Sequence, residues 1–436
     1  MNYLQNYSLR NTDMKRRKFI EIASIGSVAM ASSFYFPYNA GEQKLKVGLI
    51  GTGWYGMVDI KAALKTGSIE VIGICDVDTV HLSSATVEIE KIQGSKPKAF
   101  KYFRELLNMK DLEAVFIATP PHWHALQFIA ACEKGLDIYC EKPLAYDVCE
   151  GLAMVAAAEK AGNIVQVGFQ RRQSGAFKKA KELIETGKIG QVHQVNAQIN
   201  YIPVPDDTTI QAPPASLDWE EWCGPAPKLD YRPSIGHKSW RLEKEYGNGH
   251  LVDWGIHHID IIRRIMSEGM PTEFQSTGGL NVLKNQITTP DTLSALMKFN
   301  KALVVWQHRL WGSGDASKEF NNGIFFYGER GSLFAEDSRV ILFDDKNKRE
   351  EIEIPAVQTQ EKHVGNFIEA VKKRDKSLLS CTPDDAFQST AAVQLAMISY
   401  YSGSQVKWDY TRKEIIENPE ASKLLRREYR AGYKHP

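Results

Sequence analysis

From Lys44 onward, short apolar runs alternate with stretches of helical periodicity. "KLKVGLI" reads as a buried strand, followed by a Gly-rich turn and a helix through "MVDIKAALKTG". "IEVIGICD" is a second strand, "LEAVFIATP" a later one, and "HALQFIAACEKG" the helix after it. "DIYCEKP", a helix over "VCEGLAMVAAAEKAG" and the strand "NIVQVGF" close the series near Arg172. Strands that are apolar throughout, alternating with helices, predict a doubly wound parallel sheet covered on both faces.

The rhythm then changes to period two. "QVHQVNAQINYI", "DTLSALMKF" and "ALVVWQHRL" alternate, and "GIFFYGERGSLFAED" holds a Gly-marked turn between two strand-like runs. Such alternation predicts a sheet with one buried and one wetter face. A Pro- and Trp-rich segment, Pro203 to Tyr246, is too long for a plain connection and reads either as a lid or cleft wall or as an ordered surface loop. Helices near "NFIEAVKKRD" and "DDAFQSTAAVQLAMISYYSG" can pack on either half. The predicted class is α/β plus α+β: a doubly wound parallel-sheet domain over 41–172, a C-terminal α/β domain on a two-faced sheet over 173–410, and a tail over 411–436.

Composition adds bounds. The 436 residues exceed one typical core, and 25% charged with 43% apolar residues are values of a soluble globular chain. A net charge of +1 with dispersed basic residues gives no field for nucleic acid. The cysteines, Cys75, Cys132, Cys140, Cys149, Cys223 and Cys381, have neither metal spacing nor the density of a disulfide framework, and read as reduced thiols.

The first 40 residues differ in kind. In "MKRRKFIEIAS" the paired Arg16 and Arg17 precede Phe19 and a short apolar run from Ile20 to Phe36. The run contains Glu21 and is too short and polar for a stable membrane anchor, and "AMA" at Ala29 to Ala31 is a small-residue cleavage site. The pattern resembles a twin-arginine signal, which predicts engagement of that export machinery and a periplasmic address; Met14 is an alternative start, and a short basic amphipathic helix is the alternative reading.

"GLIGTGWYG" places Gly51, Gly53 and Gly56 directly after a strand and before a helix. The three glycines serve a tight turn, close approach of backbone to a pyrophosphate, and helix–strand packing. Phosphates then meet the free N–H groups of a helix N-terminus. The second strand ends in Asp76, 25 positions past Gly51, where an acid accepts from ribose hydroxyls and repels a 2′-phosphate, so NAD is expected over NADP. In "YCEKPLA", Pro143 biases Lys142 toward extended geometry at a strand end. In "GNGHLVDWGIHHIDIIRRIM", Asp253 and His257 are four apart and share a helix face, which Asp260 and Arg264 continue. The same spacing suits zinc, but His258 points elsewhere and a third ligand is not evident, so no metal is expected.

Taken in order, "GLIGTGWYG", "ATPPHWH", "CEKPLA", "GFQRR", "SWRLEKEYGNG" and "DWGIHHID" resemble the Gfo/Idh/MocA family of sugar and inositol oxidoreductases over about Lys44 to Asp409. The resemblance implies a catalytic lysine at Lys142 and an Asp-x-x-x-His pair at Asp253 and His257. It implies cofactor contacts at Gly51, Thr52, Gly53, Trp54, Tyr55, Gly56, Asp76, Pro120, His124, Glu141, Lys142 and Gln170. Arg171, Trp240 and Arg241 align with the nicotinamide and sugar side, where Asp253 and His257 also belong, and Tyr201 is a further candidate for stacking on a sugar face. Trp219 and Trp222 read as core. "GNG" departs from the family's usual triple glycine, which touches the aim of Asp253. The resemblance also implies that the first domain is an NAD-binding Rossmann domain, that the second is built on an open, mostly antiparallel sheet, and that the chain forms a homo-oligomer through that sheet.

Oxidising a secondary alcohol sheds a proton from oxygen as hydride leaves carbon. An imidazole with an ordinary pKa of about 6.5 suits the proton, and an ammonium stabilises the developing oxyanion. Three functions follow: a dehydrogenase that exchanges free NAD(P); a redox-neutral hydrolase, lyase or epimerase that keeps NAD tightly bound through a transient keto-sugar; or a non-catalytic sugar-binding protein, against which Lys142, Asp253 and His257 together argue. The function carried forward is an NAD(P)-dependent oxidoreductase of a sugar, glycoside or polyol.

Overall fold

A computed structural model describes residues 43–203, 207–312, 317–355 and 357–436. The paired arginines Arg16 and Arg17, the Ala29 to Ala31 cleavage site and the rest of the 1–40 signal segment lie outside the described residues. The first sheet is parallel, built from β1 (Leu45–Ile50), β2 (Ile69–Cys75), β3 (Lys98–Phe100), β4 (Ala114–Ile117), β5 (Asp137–Glu141) and β6 (Val165–Gly168) in the order 3-2-1-4-5-6. β4, β5 and β6 are buried at every position, as strands covered on both faces must be. The order reverses between β1 and β4, which opens a crevice at the carboxyl ends of the strands. The glycine-rich turn leaves β1 at that point.

The second sheet has ten strands: β7 (Val192–Ile199), β8 (Glu273–Gly279), β9 (Thr292–Lys298), β10 (Leu303–Arg309), β11 (Asn322–Gly328), β12 (Gly331–Ala335), β13 (Arg339–Asp344), β14 (Arg349–Glu353), β15 (Val406–Asp409) and β16 (Glu414–Ile415). Its order is 14-13-12-11-7-10-9-8-15-16, antiparallel except where β7 runs parallel to β10. Along β9, Leu293, Ala295 and Met297 are buried while Ser294, Leu296 and Lys298 are exposed, so the predicted two-faced alternation is observed. The period-two signal captured β7, β9, β10 and the β11–β12 hairpin. It missed β8, β14, β15 and β16, whose sequences are polar or very short, and β13, whose apolar run Val340–Phe343 is continuous rather than alternating.

The two late helices stitch the halves together. Thr359–Lys373 packs on the nucleotide half, with Val364 and Phe367 in one core with Leu49, Phe116 and Tyr139. Pro383–Ser402 lies against β8, against Val148–Ala161 and against Ile256–Met266. Arg172 is the polar pin between them: its side chain, 1% exposed, pairs with Asp260 and with Asp385 (2.6 Å) and donates to the carbonyl of Ser380 (2.7 Å). The final residues turn back onto the nucleotide half, where Arg427 pairs with buried Glu150 at 2.9 Å. The six cysteines are free and no described helix is long and apolar enough to cross a membrane.

Candidate active site

The glycine-rich loop is shaped for a dinucleotide. Gly51 sits at φ +91, and a Cβ there would stand 2.9 Å from the carbonyl of Ala118. A Cβ at Gly56 would run into the carbonyl oxygen of Gly51, whereas Gly53 faces open space. Helix α1 (Trp54–Lys65) starts directly after Gly53 with no side chain capping it, so its first N–H groups are free for an anion. Asp76 closes the loop from β2: its Oδ2 accepts from the backbone N–H (2.7 Å) and hydroxyl (2.9 Å) of Thr52, and its Oδ1 accepts from Asp78 N–H (2.9 Å). One lone pair of Oδ1 is left for a ligand. These features fit a nicotinamide dinucleotide.

A groove of about 850 Å³ runs from this loop. Gly51, Gly53, Trp54, Tyr55, Asp76 and Pro120 line one wall, and Trp222, His237, Trp240 and Arg241 from the Pro/Trp-rich segment line the other. That segment is therefore a cleft wall rather than a detached surface loop. It is fastened to the nucleotide half by Thr79 N–H to Ser216 O (2.9 Å), Asp218 N–H to Val77 O (3.0 Å) and a Lys101–Asp218 ion pair (2.7 Å). Trp219 and Trp222 stack on each other at 4.6 Å in its buried core, as expected. Trp240 lines the groove on the side opposite Asp76 and so faces the nucleotide groove.

At the carboxyl end of β5, Lys142 reaches across to the second half. Its Nζ donates to Asp253 Oδ1 (2.9 Å) and to the Asp253 carbonyl (2.7 Å), and Arg241 Nε stands 3.3 Å from the same Oδ1. Both side chains are largely buried, 14% and 8% exposed. Asp253 lies in a π-helical turn, Leu251–Gly255, that leads into the α-helix Ile256–Met266, where His257 follows. The "GNG" departure is accommodated: Asn248 adopts φ +60, which asparagine tolerates, and its side chain accepts from Tyr401 OH at 3.0 Å. Asp253 N–H then bonds Gly249 O at 3.0 Å, fixing the turn.

Burial opposes ionisation of Asp253, but Lys142 and Arg241 outweigh it and hold the carboxyl below its ordinary range. Burial, reinforced by the charges of Lys142 and Arg171, holds His257 well below 6.5, so its ring is neutral at physiological pH. Its Nδ1 is buried without a hydrogen-bond partner. Arg171 arrives from the nucleotide half, 3.1 Å from His258 Nε2 and 3.3 Å from Asp337, with its guanidinium over the Trp254 ring. Tyr201, 37% exposed, packs edge-on to His250 and Trp254 at the sheet side.

Three expected cofactor residues sit below the groove surface. Glu141 is buried, accepts from Gln170 (2.7 Å), and burial pushes its carboxyl up to about 8. One N–H of Gln170 is taken by that contact. His124 is a correction: it is 0% exposed, with its ring nitrogens 2.9 and 2.8 Å from the carbonyl oxygens of Pro143 and Thr119. It braces the loop bearing Lys142 and cannot touch a ligand. Likewise Asp260 faces Arg172 in the core instead of continuing the catalytic face. The sequence reading missed His81, Lys101 and His237, which line the groove with Asp76, because their meeting with residues of the second half is made only by the fold.

Residues 45–169 match the oxidoreductase family Gfo/Idh/MocA, NAD-binding Rossmann fold, and residues 188–435 match that family's C-terminal alpha/beta domain. The chain belongs to the Gfo/Idh/MocA oxidoreductase family. It is 26% identical over 384 residues to the uncharacterized oxidoreductase YrbE of Bacillus subtilis, covering 85% of this chain and 98% of that one. It is 26% identical over 312 residues to the myo-inositol 2-dehydrogenase of Thermotoga maritima, 70% of this chain and 80% of that one. Its fold is that of levoglucosan dehydrogenase in complex with NADH and levoglucosan, with a TM-score of 0.65 at 21% identity over 84% of this chain and 99% of that one.

Proposed function

We propose that the protein oxidises, reversibly, a secondary alcohol of a sugar, glycoside or polyol with NAD, which Asp76 favours over NADP. The observation that carries this is the meeting of Lys142 from the nucleotide half with Asp253 from the sheet half, joined by Arg241, which also lines the cofactor groove. When bound, the nicotinamide supplies the hydride acceptor. Lys142 holds the substrate oxygen and stabilises its developing negative charge. Asp253 fixes the ammonium and accepts from a neighbouring hydroxyl. His257, neutral and one helical turn on, takes the alcohol proton. Tyr201 and Trp254 offer aromatic faces to the ring of a sugar. The test is nicotinamide reduction with a panel of sugars, inositols and anhydro-sugars; a protein that binds NAD but reduces none of it with any alcohol is against this reading.

A second reading is that NAD stays bound through a redox-neutral cycle. The Pro/Trp-rich wall, a strap fastened to the nucleotide half beside the groove, favours it, and an exported enzyme would need it, because NADH released outside the cytoplasm is not readily reoxidised. Mass spectrometry of protein purified without added cofactor decides: stoichiometric nicotinamide supports retention, and an apo protein active only with free NAD counts against it. Export by the twin-arginine route is part of the same proposal, checked by fractionating cells that express the chain with Arg16 and Arg17 intact or replaced by lysine.

A further inference from the structure

One cluster at the edge of the groove, two of whose members, His81 and His237, line it, takes no part in the chemistry above. Asp78, buried, caps the helix Thr79–Gln93 with its Oδ1 on Val80 N–H (2.8 Å) and turns its Oδ2 to His237 Nε2 (3.0 Å). His81, one turn into that helix, brings its ring to 4.2 Å from the ring of His237. A ligand atom from each of the three lies within 4.8 Å of the others. His237 is held at φ +62, a region that residues other than glycine seldom adopt, so the strap carries local strain to present this imidazole.

We propose that Asp78, His81 and His237 bind a divalent transition metal of the zinc class. Two imidazoles and one carboxylate are the borderline donors such ions prefer over magnesium or calcium. An N···O separation of 3.0 Å needs to open only to about 3.3 Å for two ligands each about 2.0–2.1 Å from one tetrahedral ion. Among the described residues no lysine or arginine pairs with Asp78; its ion-pair partner is His237.

The other group with ligand spacing, Asp147, Glu150 and His435, makes the contrast. There Glu150 accepts from Arg427 and Tyr429, Asp147 accepts from Glu150 N–H and Arg427 N–H, and the Arg427 guanidinium already supplies the positive charge. The Asp78 cluster has no such built-in cation. An ion there would join two residues of the nucleotide half to one of the strap, beside Asp76, and so staple the groove wall at its adenosine end. Metal binding stands independently of the function proposed above; the effect on cofactor escape rests on it.

The experiment uses tag-free, EDTA-treated full-chain protein without added cofactor, titrated with ZnCl2 in a calorimeter. One equivalent should bind with a Kd below about 10 μM. His81→Ala and His237→Ala should each weaken binding by at least about tenfold, and zinc should raise the melting temperature of the wild type but not of His237→Ala. His193→Ala, at an exposed histidine elsewhere, should change nothing. Absence of binding at about 1 mM zinc, or binding indifferent to both substitutions, overturns the proposal. Zinc-dependent slowing of NAD release, read separately in NAD-loaded protein, supports the staple; unchanged release overturns it while leaving NAD binding, and so the oxidoreductase reading, intact.

Discussion

Replacing Lys142 by methionine keeps the stem of the side chain and removes its ammonium. Two losses follow from the geometry. The alcohol oxygen loses its charged donor, and removing a single preorganised donor to a developing oxyanion costs about 10²–10³ in rate, roughly 2.7–4 kcal/mol. Asp253 loses a 2.9 Å contact and keeps only Arg241 at 3.3 Å, so a carboxylate 6% exposed is less well paired. A charged hydrogen bond at such a site is worth about 1.5–3 kcal/mol of stability. For a folded unit of this size that is about 2–4 °C in melting temperature. The two losses separate: kcat/KM for the best alcohol in the panel should fall at least a hundredfold while the protein melts only a few degrees lower and still binds NAD. A third readout fixes the role. Lys142 helps hold His257 below its ordinary range, so its removal should move the acid limb of the pH profile of kcat/KM upward, toward 6.5. A variant that retains activity within about tenfold, with an unmoved acid limb, refutes the mechanism.

Asp260→Ala should leave Arg172 short of its main buried partner and cost about 3–5 kcal/mol, a drop of about 4–6 °C by calorimetry; a loss under one degree would show that Asp385 alone suffices. Burial raises the folded-state carboxyl of Glu141 to about 8 from the ordinary 4.5, so the native state holds a proton that the unfolded chain gives up, and stability should decline as pH rises through that window. Glu141→Gln should remove that decline in thermal melts from pH 5 to pH 9. Gly56→Ala should abolish NAD binding, read by fluorescence titration, because the added methyl meets the Gly51 carbonyl. The outer face of the second sheet exposes Leu296, Leu303 and Tyr327, and light scattering should find a dimer that Leu296→Glu with Leu303→Glu dissociates; a wild-type monomer at micromolar concentration would remove that expectation.

Local chemistry wrote much of this protein into its sequence. β1, β2, β4, β5 and β6 were legible because strands buried on both faces must be continuous apolar runs, and the glycine-rich loop because only glycine fits at Gly51 and Gly56. Lys142 and Asp253 stood out by motif and spacing, and the structure brings their side chains together; the two-faced β9 and β10 were legible from strict alternation. What the chain alone left open depended on meetings between distant segments. Asp76 proved to be a loop clamp through Thr52, His124 a buried brace, and Asp260 a partner of Arg172, since burial and partner set what a polar side chain does. The wall opposite the glycine loop, the pairing of Lys142 with Asp253 and the Asp78–His81–His237 cluster each join residues more than 100 positions apart, with the exception of the i,i+3 pair within the last. No periodicity records such contacts; they arise only when both sheets and the helices that bridge them close on one core.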